Sequence, residues 1–514
     1  MPKHRTDQLF DLIKSMTKSE KRTFKLYAKR LTSNEGGLFL QLFDMLEKQK
    51  EYNEDELFKH SKTIQKSQLS NLKRHLYHQI LVALHTVNFR NHVDIQLHQH
   101  LDFARILYSK GLFLQSLKML DRAEKLAQKF FYDEQLLEIL SFKKMIESRH
   151  ITRSRNTKNR MENMLQLAED QNVIVHNSNL ISNLKLKLHG MYIQIGHIRS
   201  EKEHFMVHEF FHSNLRRIKT KDLSFFERVH LFQCYVWYYY IIVDFQNCYD
   251  YSLKLVNLFD VHPKMREMDP DLLMRGFHYG LTSAFNLRNI SLFETMLQQF
   301  EVWYDATKSK FYTHSKVISF MYLYTSRLNR HILNGNFEDA VGYIPRIKRR
   351  LKRYAAYYDS HRKMVFYFKI AWIYFCLQKY DLTIDYLNVI IHDKETQLRE
   401  DIQYYSRLLL LIAHYEKGNY GLLEYMVPSV RRFCEKMQVF NEVQREILSF
   451  MGKLTRTPIY EQVDLMRKFE DKLVVIEREP YERPAFVYLD FVSWLESKIA
   501  NKTMSEIIRA KAIE

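Results

Sequence analysis

The sequence predicts an all-α protein, and three observations predict it. Its 514 residues include only 12 Gly and 8 Pro. That is too few of the residues that make tight turns and bulges for a strand-rich fold, and it favours helices joined by short connections. Hydrophobic residues make up 46 % and aromatics 14 %, with 33 Tyr and 35 Phe, so disorder from low hydrophobicity is excluded. One phrase also recurs: an apolar helix, a short polar turn with Gly or Asn, an aromatic, and a second helix carrying a small residue. At this length the chain accommodates two to four ordinary domains or one extended array.

Residues 1–90 read as an N-terminal helical domain. The chain carries charges within its first seven residues, Lys3, Arg5 and Asp7, and its start lacks the apolar core and small-residue cleavage site of a secretory signal. Thr17 and Glu20 form the S/T-x-x-E pattern in which two side chains satisfy reciprocal backbone N–H groups at a helix start. From there Phe24, Tyr27, Ala28 and Leu31 recur on one face, and Lys18, Lys21, Arg22, Lys25 and Lys29 face solvent on the other. A second helix runs through "LFLQLFDMLEKQ". Asn53 then caps a short helix, and after a polar turn a longer one carries Leu69, Leu72, Leu76, Ile80 and Leu84 inward, with Ser67, Gln68, Asn71, Lys73 and Arg74 exposed. This order is either a helical cap for a repeat array or a helix-turn-helix-like DNA reader.

Residues 91–455 hold the repeats. The clearest copies are "ILYSKGLFLQSLKML" at 106–120, "HILNGNFEDAVGYI" at 331–344, "IYFCLQKYDLTIDYL" at 373–387 and "IAHYEKGNYGLLEYM" at 412–426, with turn aromatics Phe113, Phe337, Tyr380 and Tyr420. Weaker copies place Ile198, Tyr249 and Ile290 in the same slot, at intervals of 40 to 51 residues, with one further turn expected in "RSRNTK" at 153–158. The pattern resembles the tetratricopeptide repeat in a divergent form with a longer period, and Gly335, Phe337 and Ala340 carry the likeness best. The resemblance implies a right-handed superhelical solenoid of about eight helical hairpins with a long concave groove. Residues 456–514 read as a C-terminal helical cap, with a closing helix in "PAFVYLDFVSWLESKI" burying Phe486, Leu489, Val492 and Trp494 or Leu495.

Catalytic motifs are scarce. Gly-rich phosphate loops and the G-x-S-x-G elbow do not occur in the sequence. "HEFFH" at 208–212 has the H-E-x-x-H spacing of a zinc-dependent hydrolase, but His204, His208 and His212 on one straight helix span about 12 Å and cannot all hold one ion. These histidines are expected to flank the stripe Val207, Phe211, Leu215 and Ile218. Cys234, Cys248, Cys376 and Cys434 lie too far apart for a C-x-x-C pair and read as buried thiols of a reducing cytoplasm. No apolar run approaches the roughly 18 residues that span a bilayer, so membrane insertion is not expected. Nor is any catalytic residue, metal or cofactor.

Charge is the remaining clue. The formal net charge is +18, and three segments hold it: +6 in residues 1–31, +6 in 143–160 and +7 in 344–363, leaving the rest near neutral. Besides the first helix's five cations, the candidates for an acidic partner or phosphate are Arg153, Arg155 and Lys158, and Arg346, Arg349, Arg350 and Arg353 along one helical face with Ile347, Leu351 and Tyr354 turned inward. The expected function is a non-catalytic cytoplasmic scaffold or adaptor holding a protein or peptide in its groove. The second expectation is a nucleic-acid-associated protein or regulator using these basic patches.

Overall fold

The computed structural model describes residues 7–30, 36–60, 63–89, 92–150, 159–358, 360–393, 400–436, 442–479, 481–482, 486 and 489–512. Among them are helices and turns and no strand, so the all-α expectation holds. The chain forms two compact units, Met1–Val175 and His176–Glu514.

In the first unit α1 (Gln8–Ser15), α2 (Lys18–Arg30), α3 (Gly36–Lys48), α4 (Glu54–His60) and α5 (Lys66–Asn88) enclose one core, and α6 (Val93–Ser109), α7 (Phe113–Phe130), α8 (Asp133–His150) and the start of α9 (Arg160–Ile195) come after them. The Thr17 pattern folds as read: Thr17 N–H donates to Glu20 Oε2 at 2.7 Å and Glu20 N–H to Thr17 Oγ1 at 3.2 Å. Asn53 Oδ1 accepts from the N–H groups of Asp55 and Glu56, capping α4. Leu69, Leu76 and Ile80 of α5 are buried against Phe24, Phe43 and Leu46. Lys73 departs from expectation. It is half-buried over the Tyr52 ring and ion-paired to Asp7 at 3.1 Å and Glu54 at 3.6 Å, so it stitches α5 to the residues before α1 and α4. α5 packs on α1, α2 and α3.

The second unit continues with α10 (Glu201–Leu215), α11 (Phe225–Ile241), α12 (Phe245–Val261), α13 (Met265–Met268), α14 (Pro270–Asn286), α15 (Ile290–Thr307), α16 (Thr313–Leu333), α17 (Phe337–Val341) and α18 (Ile344–Arg353). It closes with α19 (Ser360–Cys376), α20 (Tyr380–Ile391), α21 (Glu400–Glu416), α22 (Tyr420–Lys436), α23 (Glu442–Leu454), α24 (Ile459–Glu477), α25 (Phe491–Ile499) and α26 (Met504–Lys511). Sequence neighbours pair: α11 with α12, α14 with α15, α19 with α20, α21 with α22. The leading helices of successive pairs also touch, α14 on α16, α16 on α19 and α19 on α21.

One turn builds most of these pairs. At Gly111, Phe131, Val243, Arg288, Gly335, Gln378, Gly418 and Asn501 the backbone turns left-handed, with φ between 52 and 74°. In each case the next residue's N–H returns to the carbonyl five positions before it, at 2.9–3.1 Å, closing the preceding helix in a Schellman arrangement. The next helix starts one residue later in seven of them, at Phe113, Asp133, Phe245, Ile290, Phe337, Tyr380 and Tyr420. In four of these turns the residue five positions past the left-handed one is small and lets the two helices close. Ser116, Cys248 and Thr383 are buried there and donate to the carbonyls of Ala104 (2.7 Å), Val236 (3.5 Å) and Ala371 (3.3 Å), each twelve residues earlier; Ala340 fills the same slot.

Two of the weaker copies are corrected. The aromatic opening α12 is Phe245, not Tyr249, because the turn residue is Val243 and the small slot is Cys248. Ile198 does not open a helix: α10 starts at Glu201, with Ser200 as its cap. The second arm after Gly335 is broken into α17 and α18, since Pro345 offers no N–H to continue the ladder. The turn expected at 153–158 lies outside the described residues.

At the C-terminus the closing helix is α25, with Leu489, Phe491, Trp494 and Leu495 buried and Val492 and Phe486 half-buried. Trp494 Nε1–H donates to Glu416 Oε1 at 2.7 Å and Tyr380 Oη–H to Glu416 Oε2 at 3.2 Å, tying α25 to α20 and α21. A further helix, α26, opens on a Thr503–Glu506 capping box. It seats on the Gly335 turn, where Arg509 Nε–H donates to the Gly335 carbonyl at 3.1 Å.

Candidate anion-binding surfaces

The cations of α2 divide into two sets. Phe24 and Ala28 are buried and fix which face turns outward. Lys18, Arg22 and Lys29 are exposed on that face. Lys21 and Lys25 are half-buried and engaged: Lys25 Nζ lies 2.7 Å from Asp44 and 2.8 Å from Glu47, and Lys21 Nζ 3.4 Å from Glu47. The hydrogen bonds that Lys25 donates to Asp44 and Glu47 raise its ammonium above its ordinary value. Burial alone would raise the Glu47 carboxyl, yet Lys25 and Lys21 hold it below. The expectation of a five-residue solvent-facing stripe is therefore corrected. Two of its members anchor α2 to α3, and the exposed cations line an open depression of about 500 Å³ with Leu26 and Met16.

In the second basic segment Arg153, Arg155 and Lys158 lie outside the described residues. Its flanks are neutralised locally: Lys143, 7 % exposed, pairs with Asp121 at 2.7 Å and with Glu124, and Arg160 reaches Asp121 at 3.8 Å.

The third segment forms α18 as read, with Ile344, Ile347 and Leu351 buried. Arg346 and Arg350 lie over the buried Tyr324 ring at 5.7 and 5.1 Å, Arg350 also over Phe320, Arg353 over Tyr354 and Lys348 over Tyr386 at 4.9 Å. Arg349 stands exposed among them. These cations cover aromatic faces, and among the described residues none of the six pairs with a carboxylate.

His208 and His212 sit on α10 as read, beside the buried Val207 and Phe211. His208 Nδ1 lies 2.8 Å from Tyr238 Oη, and burial followed by the neighbouring His208 lowers His212. Glu209 is exposed. No cluster of three or more His, Cys, Asp or Glu able to hold a metal ion is found among the described residues.

The sequence reading missed a fourth surface. Lys185 of α9, His230 of α11, Arg275 and His278 of α14, and Arg362 and Lys369 of α19 are all half-buried; Arg275 acts on Lys185, His230 and His278, Lys185 also acts on His230, and Arg362 and Lys369 act on His278. Lys185 Nζ stands 3.1 Å from His230 Nδ1. The His278 ring stacks on Tyr322 of α16 at 4.1 Å and 7°. Trp237 and Tyr279 meet edge to face at 5.9 Å. Burial, then Arg362, Arg275 and Lys369, push His278 down to about 3; burial, then Lys185, push His230 down to about 4. Burial lowers Lys369 to about 8. Both histidines are thus neutral at neutral pH and the lysine is mostly charged. Among the described residues the carboxylate that acts on Arg275 is Asp269, which also caps α14 through Leu272 N–H at 3.1 Å.

The signal for this surface is present in sequence as single cations inside apolar helices. Lys185 and His189 fall at i, i+4, and Arg275, His278 and Tyr279 at i, i+3, i+4. Charge runs do not find them. No protein-family model matches the chain, and neither a curated protein nor a solved structure matches it.

Proposed function

We propose that the protein is a non-catalytic helical-repeat scaffold of the tetratricopeptide-like kind, its hairpins continuing as a right-handed superhelix whose leading helices form a groove for a protein or peptide partner. One observation carries this reading. α14, α16, α19 and α21 touch in succession, and those that open hairpins close them with the same left-handed turn, so one side of each pair is presented repeatedly. Such arrays bury their cores between neighbours and leave the leading helices as a long ligand surface. A cytoplasmic setting suits four buried thiols without a disulfide among the described residues.

Peptide-display selection against the full chain tests it, with titration of an enriched peptide as the second step. The scaffold reading expects enriched acidic sequences that bind saturably. It fails if no sequence is enriched. A second reading, binding of nucleic acid or another polyanion, is favoured by α18, whose six cations have no carboxylate partner among the described residues. Titration of a labelled oligonucleotide across a salt series separates the two. Phosphate contacts make log affinity fall steeply with log salt, and a flat response excludes them.

A further inference from the structure

We propose that His208 and His212 together bind a divalent late transition-metal ion, one that favours right-angled coordination, with water in its remaining positions. The site is separate from the groove and does not rest on the scaffold reading.

Two histidines four residues apart stand on the same face of a helix, one turn above the other. On α10 this spacing brings the His208 and His212 rings to 4.2 Å between centroids, with 49° between their planes. Both are half-buried, so an ion reaches them from solvent. Their neighbours hold them in place. Phe211 is fully buried and stacks on Tyr238 of α11 at 4.2 Å and 10°. The His212 ring packs edge to face against both, at 5.2 and 5.7 Å. His208 Nδ1 lies 2.8 Å from Tyr238 Oη.

That last contact decides which nitrogen meets the ion. A phenol oxygen accepts as well as donates, so with Nδ1–H donating to Tyr238, His208 Nε2 keeps its lone pair for a metal. A hydrogen bond of this kind fixes both the tautomer and the direction of a ligating ring. Among the described residues neither His208 Nε2 nor the ring of His212 has a hydrogen-bond partner.

Ring spacing selects the ion. A metal about 2.1 Å from a ring nitrogen lies about 3.2 Å from the ring centroid, so two imidazoles at a right angle stand about 4.5 Å apart, and at the tetrahedral angle about 5.2 Å. At 4.2 Å this pair is close to the first arrangement and about 1 Å short of the second, which is the one zinc adopts. Nickel(II) and copper(II) take the right-angled geometry. His204 is excluded as a ligand with His208, because rings 6.1 Å apart need an angle of about 145° at the metal. No third His, Cys, Asp or Glu joins the pair among the described residues, which leaves the other positions to water.

Isothermal titration of the untagged full chain with nickel chloride, in a non-coordinating buffer, tests the proposal, with zinc chloride as the second probe. One nickel ion per chain should bind saturably and raise the thermal midpoint. His208→Gln and His212→Gln should each weaken nickel at least tenfold and remove that rise, while His204→Gln leaves both unchanged. Tyr238→Phe should keep the stoichiometry and weaken nickel about tenfold, since it removes the group that orients the His208 ring. If Tyr238→Phe fails to fold, the variants of the half-exposed histidines decide alone. No saturable nickel binding, binding undiminished in His208→Gln or His212→Gln, or one ion per two chains overturns the site. Loss of binding in His204→Gln overturns the choice of pair. Zinc held more tightly than nickel overturns the right-angled geometry.

Discussion

Reversing the two halves of the α2 strip should have opposite consequences. In Lys21→Glu/Lys25→Glu, three ion pairs with α3 become three like-charge contacts: Lys25 with Asp44 at 2.7 Å and Glu47 at 2.8 Å, and Lys21 with Glu47 at 3.4 Å. Partly exposed pairs contribute about 0.2–1 kcal/mol each. Exchanging attraction for repulsion of similar size across three contacts costs about 1–6 kcal/mol, with about 3 kcal/mol at the middle of that range. For a unit of this size, Met1–Val175, that middle value lowers the midpoint by about 5–10 °C. Lys18→Glu/Arg22→Glu changes exposed side chains with no such partner and should stay within about 0.5 kcal/mol. Scanning calorimetry of the full chain compares the two, at low salt and at about 1 M, where screening should shrink the larger effect. Equal shifts for the two double variants would refute the division of the strip into anchoring and exposed cations.

Gly335→Ala should cost about 2–3 kcal/mol, from its left-handed φ of 63° and a Cβ placed 2.9 Å from the Ser505 carbonyl oxygen. Gly418→Ala, at φ 74° but with nothing nearer than 4.0 Å, should cost only about 1 kcal/mol; denaturant midpoints compare them, and equal losses would contradict the seating of α26 on the Gly335 turn. His230 and His278 titrate near 4 and 3 in the fold against an ordinary 6.5. Below pH 6.5 the unfolded chain therefore takes up protons the folded chain refuses, and stability falls as pH drops from about 6.5 toward 3. His278→Gln should flatten that slope, and an unchanged slope in urea melts across this range would contradict it. All four thiols are buried, and burial pushes Cys234, Cys248 and Cys434 up to about 12, so alkylation of the native chain at about pH 8 should be slow and become rapid in denaturant.

Much of the architecture is legible in the sequence because it is written in local chemistry. The Thr17–Glu20 pair, the Asn53 cap and the helix starts at Phe113, Phe337, Tyr380 and Tyr420 all form where the residues predict them. The failures are tertiary. Tyr249 is the wrong residue for the turn slot because Val243 gives no sign of a left-handed conformation, which β-branched residues rarely adopt; here the bond from Asp244 N–H to the Tyr239 carbonyl and the packing of Cys248 impose it. Arg288 and Gln378 conceal their turns in the same way. The Thr503–Glu506 box, which the sequence reading missed, carries the same signal as Thr17–Glu20. The α2 stripe reads as uniformly exposed because its acids, Asp44 and Glu47, belong to the next helix, and Lys73 misleads for the same reason. The Arg275 surface escapes because its members are isolated in sequence and become a cluster only when α9, α11, α14 and α19 are assembled.

Amide hydrogen exchange of the full chain, with and without a saturating acidic peptide, measures most directly whether the leading helices are the ligand surface. Protection should be gained on α14, α16 and α19, centred on Arg275–Tyr279, Tyr322 and Arg362–Lys369. Protection confined to the second helices of the pairs, α12, α15 and α20, or to α18, would contradict the groove as the ligand surface.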